Sequence, residues 1–270
     1  MATRSDLRLG GGPFTPGDMT EIADVAYDTQ VQAEMAAWRE AVLKPAGPFD
    51  KAARNMQDTI NNLIPEKVHG VITTAMEQMI RAIVTGADYT SPPPVESATL
   101  RMREAQARDK IMAWRTTAAA EGGVAGAGGF LLAAADFPVL IGLKIKLLFD
   151  LAAVYGHSGD DLAERLYILR IFSLAFSSAS RRPEAYEALA DWDSAQAMAD
   201  GGLESLDWRR FQQEYRDYID LAKLAQLIPV IGAPVGAFVN YRLLDRLGET
   251  AMNAYRMRWF AGALPEDPGR

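Results

Sequence analysis

The sequence predicts an all-α protein, a multi-helix bundle with two glycine-rich, proline-interrupted apolar helical hairpins. Three observations carry that prediction. Apolar residues recur at three- and four-residue spacings through nearly the whole chain. No alternating strand pattern bounded by hairpin turns occurs, and no internal repeat is visible. Prolines and glycines cut the chain into pieces of helix length.

The first helix is expected to begin at Thr15-Pro16, with Thr15 as a cap and Pro16 in the first turn. It runs through Ile22, Val25, Tyr27, Met35 and Trp38 and stops before Pro45. A second follows Asp50 and breaks at Pro65. A third, Glu66 to Thr85, carries Val68, Ile72, Met76, Met79, Ile80 and Ile83 in helical phase. Three successive prolines, Pro92 to Pro94, cannot continue a helix. They divide an N-terminal helical segment, residues 1–90, from a helical region over 95–261, the two packing together as one domain. A charged helix from Val95 to Glu121 then runs into the first glycine-rich stretch. Pro138 to Tyr155 forms a helix closed by Gly156 in a left-handed cap. The next, Ser158 to Ser180, opens with Ser158 and Asp161 at capping-box spacing. Pro183 starts a helix ending at Gly201-Gly202. Ser205 leads another through Trp208, Phe211, Tyr215, Ile219 and Leu224 to Pro229. The last extends from Pro234 to Ala261.

Composition excludes several classes of function. The chain is 49% hydrophobic and 23% charged over 270 residues, ordinary for a globular protein. Its mean hydropathy of -0.07 argues against multiple membrane spans. A formal charge of -7 makes nucleic acid an unsuitable partner, because phosphate binding needs a basic footprint. Cysteine is absent, which removes disulfides, thiolate nucleophiles and cysteine metal sites. The N-terminus has no apolar core of a signal peptide, so a cytoplasmic location is expected, peripheral on the inner face of the membrane if membrane-associated.

The two glycine-marked stretches, residues 122–143 and 224–241, are each about long enough to cross a bilayer. Gly122, Gly126 and Gly129 recur at helical spacing, as do Gly232 and Gly236, so each set forms one smooth face where backbones approach closely. Glycine costs a helix about 1 kcal/mol relative to alanine, so such sets need a packing or binding reason. A phosphate-binding loop fails, since no Gly-Lys-Ser/Thr follows and no strand precedes. Stable spanning also fails. Asp136 and Pro138 interrupt the first stretch, a central carboxylate costing about 3 kcal/mol, and Pro229 and Pro234 divide the second. Tight hairpins in a soluble core, or hairpins laid against a membrane surface, remain.

These features resemble the bacterial EcsC family. A helix with basic residues leads into Gly122-Gly123-x-x-Gly126-x-Gly128-Gly129, followed by Asp136 with Pro138 and by Ala152-x-x-Tyr155-Gly156. The second stretch contributes Ile228-Pro229-Val230-Ile231-Gly232-Ala233-Pro234-Val235-Gly236-Ala237, then Val239-Asn240-Tyr241 and the Ala251 to Arg258 tail. The resemblance covers roughly residues 95–260. It implies a link to membranes, the family being named after a protein encoded beside an ABC transporter, and it implies no catalytic residues.

Candidate chemistry is sparse. Glu66-x-x-His69 has the spacing of one carboxylate-histidine metal pair, but the second pair of a di-iron bundle is missing. His157, after Gly156, suits a helix C-terminus as a cation. No catalytic residue, metal site or cofactor is assigned. Asp136 reads as the N-cap before Phe137-Pro138, and Lys146 and Asp150 pair at four-residue spacing. Lys144 and Lys146 would snorkel toward a lipid phosphate. Arg101, Arg108 and Arg115 recur every seven residues as a basic stripe, extended by Arg103 and Lys110 and diluted by Glu104 and Asp109. The leading expectation is a non-enzymatic, peripheral binder of membrane lipid or a membrane protein, of open oligomeric state. The alternatives are a soluble helical enzyme using Asp136 or Glu121 as acid or base in an apolar pocket, and a protein–protein module.

Overall fold

The computed structural model describes residues 16–45, 66–86, 92–127, 137–200 and 233–261. Among them stand eight helices and no strand: α1 (Pro16–Leu43), α2 (Glu66–Thr85), α3 (Leu100–Ala127), α4 (Phe137–Val154), α5 (Leu162–Phe176), α6 (Arg182–Ala190), α7 (Trp192–Asp200) and α8 (Ala233–Phe260). The all-α expectation holds. Helices expected over 51–64 and 205–228 lie outside the described residues.

Helix α5 sits innermost. Its sequence sets apolar residues on every side around Glu164 and Arg170, a pattern of burial all round, and Leu166, Ile168, Leu169, Ile171 and Phe172 are fully enclosed. Helix α4 packs beside it through Ile145, Leu148, Phe149 and Ala152. Helix α2 covers α4 and α5 with Met76, Met79, Ile80 and Ile83, the phase read from sequence. Helices α6 and α7 cover another side of α5, and α1 lies over α3, α6 and α8.

The most extensive helix pair is α3 with α8. Three contacts fix its geometry: Glu104 with Arg256, Ile111 with Gly248, and Arg115 with Asp245. As the first number rises the second falls, so the helices are antiparallel. The same register sets Leu100 level with Phe260 and Ala127 level with Ala233, so these two 28-residue helices begin and end together. Each is about 42 Å long at 1.5 Å per residue. Gly248 marks the closest approach, since a Cβ built there would lie 2.7 Å from Ile111 Cδ1.

Several helix ends differ from expectation, each for a local reason. Helix α3 starts at Leu100, not Val95. The Val95 amide donates to the Ala153 carbonyl (2.7 Å), tying this segment to the end of α4. Thr99 then takes the cap position, its Oγ1 accepting from the Met102 amide. Gly122 and Gly126 do not stop α3, which continues to Ala127. The N-cap of α5 is Asp161, whose carboxylate accepts from the Ala163 amide (3.0 Å), while Ser158 builds the preceding turn by accepting from the Asp160 amide. The expected helix over 183–200 is two helices. Arg170 of α5 donates to the Ala188 and Asp191 carbonyls, and the Asp191 carboxylate caps α7 by accepting from the Ser194 amide. Gly156 behaves as expected, ending α4 at φ +92°.

Candidate functional site

The antiparallel register bears directly on the glycine-marked stretches. Carried to the helix ends, it sets Gly236 of α8 at a level between Gly122 and Gly126 of α3. Both stretches therefore meet the helical body at one end of the α3–α8 pair. Gly129, Asp136 and Gly232 lie outside the described residues, and of Glu121 and His69 only the helical backbone is described. No described helix is long and apolar enough to cross a membrane. Nor, among the described residues, does any group of His, Asp and Glu have the placement to hold a metal ion.

The basic residues are held in ion pairs. Arg101 donates to Asp24 (2.8 Å), Arg108 to Glu104 (2.9 Å) and to the Tyr27 hydroxyl (3.0 Å), and Arg115 pairs with Asp245 (2.8 Å). Arg115 also stacks over the Tyr241 ring at 3.8 Å. Lys144 is only 1% exposed, so it does not snorkel to a surface. Lys146 pairs with Asp150 at 2.9 Å, as its spacing predicts. Asp150 also accepts from Trp114 Nε1 (3.0 Å) and lies 3.9 Å from Lys110. Two partly exposed ammonium groups thus flank one buried carboxylate beside a tryptophan.

The far end of the α3–α8 pair holds a polar core that no spacing in the sequence brings together. Glu104 is fully buried. Its Oε1 accepts from Arg256 Nε (2.6 Å), and its Oε2 from Arg256 Nη2 (2.8 Å) and the Tyr27 hydroxyl (2.7 Å). Arg256 also reaches Glu34 of α1 (3.1 Å). Burial opposes the charge of Arg256, but Glu104 outweighs it and holds the guanidinium pKa above its usual value. A second buried carboxylate, Glu164 of α5, accepts from Arg258 Nη1 (2.5 Å) and the Tyr255 hydroxyl (2.6 Å). Arg258 lies over the Trp192 ring at 3.7 Å.

Stacked rings lie beside the Glu164 carboxylate. Tyr255 lies nearly parallel to His157 and to Tyr155, with centroids 5.4 and 4.9 Å away. Burial drives the His157 pKa down to about 4, with Arg258 and Arg103 adding to the effect and Glu164 opposing it. His157 is therefore a neutral imidazole whose Nδ1 faces Arg258 Nη2 at 3.2 Å. The cationic helix cap expected from sequence is corrected. That capping falls instead to Arg103, whose Nη1 donates to the Val154 and Val95 carbonyls (2.9 and 2.8 Å). Burial and Glu104 also raise the Tyr155 hydroxyl, which is enclosed without a hydrogen-bond partner.

Chemically this core is closed. Each of its two carboxylates is already engaged by an arginine and a tyrosine. Its signal in the sequence is a charge standing in an apolar phase. Glu104 follows Leu100 and precedes Ala107 and Ile111, and Arg258 continues the buried line of Leu247, Ala251 and Ala254.

The comparisons bear on the chain as a whole. The model of the EcsC protein family matches residues 29–260, which takes in the second half of α1 and all of α2 as well as the region whose motifs carry the resemblance. Protein EcsC of Bacillus subtilis (strain 168) is 38% identical over 226 residues, covering 83% of this chain and 93% of the relative. An uncharacterized protein of the same organism, YdbA, is 25% identical over 241 residues, covering 81% and 88%. No solved structure shows significant similarity to the chain. With a family model over most of its length and a relative at this identity, the chain belongs to the EcsC protein family.

Proposed function

We propose that this EcsC-family chain is a non-enzymatic, peripheral binding protein whose glycine-marked end engages membrane lipid or the membrane-embedded part of a partner. The observation that carries the reading is the register of α3 and α8, which brings both apolar, proline-interrupted stretches to one end of the body. Each stretch carries glycines at helical spacing, and such a face presents backbone rather than side chains, a surface suited to apolar chains or small-residue helices. The Lys110–Lys146–Asp150 cluster with Trp114 sets two ammonium groups near an aromatic ring, the pairing found at lipid headgroup level. The closed core at the other end supports a structural rather than catalytic role for the buried carboxylates.

Flotation of the protein with vesicles containing anionic lipid tests the proposal. Binding at low salt that weakens in Gly126→Leu or Lys110→Ala/Lys146→Ala is the expected result. Absence of binding to anionic and zwitterionic vesicles alike, at low salt, refutes the lipid form of the reading.

A further inference from the structure

The outer face of α1 has a pattern unlike the rest of the surface. Its inner face, Asp24, Tyr27, Val31, Glu34, Trp38 and Val42, meets the body through ion pairs and half-buried rings. On the opposite side stand Met19, Ile22 and Val25, exposed by 59%, 44% and 60%, with Thr29, Ala33 and Ala36 continuing the same line, all exposed. At 100° per residue these positions form one stripe, and it carries no charge from Met19 to Ala36. An apolar helix face turned wholly to solvent marks an interaction surface.

We propose that this face docks against the same face of a second copy of the chain, the two α1 helices running antiparallel about a two-fold axis. Charge selects that occupant. Residues 16–38 contain no lysine or arginine, and the acids Glu21 and Asp28 flank the stripe, so this face offers no cation to attract an anionic membrane. Along one flank, Glu21, Asp28 and Arg39 stand seven and eleven residues apart, hence on one line. In an antiparallel pair that flank meets its own copy in reverse order. Setting Glu21 level with the second copy's Arg39 places Asp28 level with its Gln32, so the register forms two Glu21–Arg39 pairs and sets no acid against another acid on the flank. Neither Glu21 nor Arg39 has an ion-pair partner among the described residues of its own chain; Arg39 only lies over the Tyr186 ring at 5.8 Å. Thr29 falls near the axis. Its hydroxyl already donates to the Val25 carbonyl (3.0 Å), so it buries without an unmet donor. The small side chains of Ala26, Thr29 and Ala33 permit close approach of the two backbones. One helix face against itself belongs to the class of small interfaces, below about 1,200 Å², where weak and transient contacts are found.

Sedimentation equilibrium of the full chain between about 1 and 200 µM tests this. The expected result is a mass rising from 29.5 kDa toward twice that value. Ala33→Glu, which touches nothing in the body, is expected to raise the dissociation constant at least tenfold. Glu21→Arg and Arg39→Glu each weaken the dimer, and the double exchange restores it. The chain has no cysteine of its own, so Thr29→Cys gives a register test: it crosslinks copies on oxidation, whereas Val42→Cys does not. A monomer at 200 µM, a dimer indifferent to Ala33→Glu, or an exchange pair that fails to restore association overturns the proposal.

Discussion

Removing the charge of Glu104 should destabilise the protein more than any other single change at a charged residue on α3. The carboxylate is 0% exposed and accepts four hydrogen bonds, two from Arg256 and one each from Tyr27 and Arg108. In Glu104→Gln an amide group faces those donors and Arg256 loses its buried counter-charge, keeping only the part-exposed Glu34. Stranding one member of a buried pair costs about 3–5 kcal/mol, a large share of a typical stability of about 5–15 kcal/mol. The Arg108 contact adds little, because that side chain is half exposed and exposed pairs contribute about 1 kcal/mol or less. Arg256→Met should cost a similar amount by stranding Glu104 instead. The double variant Glu104→Leu/Arg256→Met should lose much less than the sum, since neither charge then remains buried. Urea unfolding followed by circular dichroism measures all three. A loss below about 1 kcal/mol in either single variant, or additive losses in the double, would show that the pair is not desolvated as the structure has it.

Three further perturbations have defined outcomes. Gly248→Ala should lower stability by about 1–2 kcal/mol, overpacking against Ile111 Cδ1 and Cγ1 outweighing the helix-propensity gain, and Ile111→Val should recover part of it in the double variant. Gly156→Ala should cost about 2 kcal/mol, because φ is +92° there and a Cβ would lie 2.9 Å from Arg103 Nη1; thermal unfolding reads the loss. His157 gives a pH signature. Its folded pKa of about 4 lies below the unfolded value of about 6.5, so the unfolded chain binds the extra proton. Stability is then unaffected above pH 6.5 and falls as pH drops from 6.5 to 4, by about 3 kcal/mol in all, a slope that His157→Asn should remove from urea titrations.

The sequence revealed helices more readily than their junctions. The bounds of α2 and α8 follow from period and proline, because an apolar phase repeated over five or more turns leaves little freedom. The start of α3 and the break at Asp191 did not follow, since both depend on distant donors. Val95 is held by the carbonyl of Ala153, and Asp191 by a guanidinium from α5. The arginines at 101, 108 and 115 share a helix face as their spacing predicts. Their acidic partners lie on other elements or one turn away, and no local pattern names Asp24 or Asp245. The neutral state of His157 was hidden for the same reason: enclosure by α5 and α8 makes the imidazole shed its proton, and enclosure is a tertiary property.

The two ends of the α3–α8 pair are linked through register. From Glu104 to Gly122 is 18 residues, about 27 Å along the helix. Buried ion pairs contribute little net stability compared with apolar replacements, but they penalise every misalignment. Sliding α8 by one turn would strand Glu104 and Arg256 and carry Gly248 away from Ile111, bringing a side chain into the closest approach. The Glu104–Arg256 pair and the Gly248 contact therefore accept the same register. That register alone sets Gly236 between the levels of Gly122 and Gly126. A charged core far from the glycine-marked end thus governs which residues that end presents. Substitutions in the core should alter binding there through alignment rather than through contact. The double apolar variant isolates this effect: it retains most of the stability and gives up the penalty for misalignment. Weaker vesicle binding by that variant, with its helical content unchanged, is the expected result, and undiminished binding would separate the two ends.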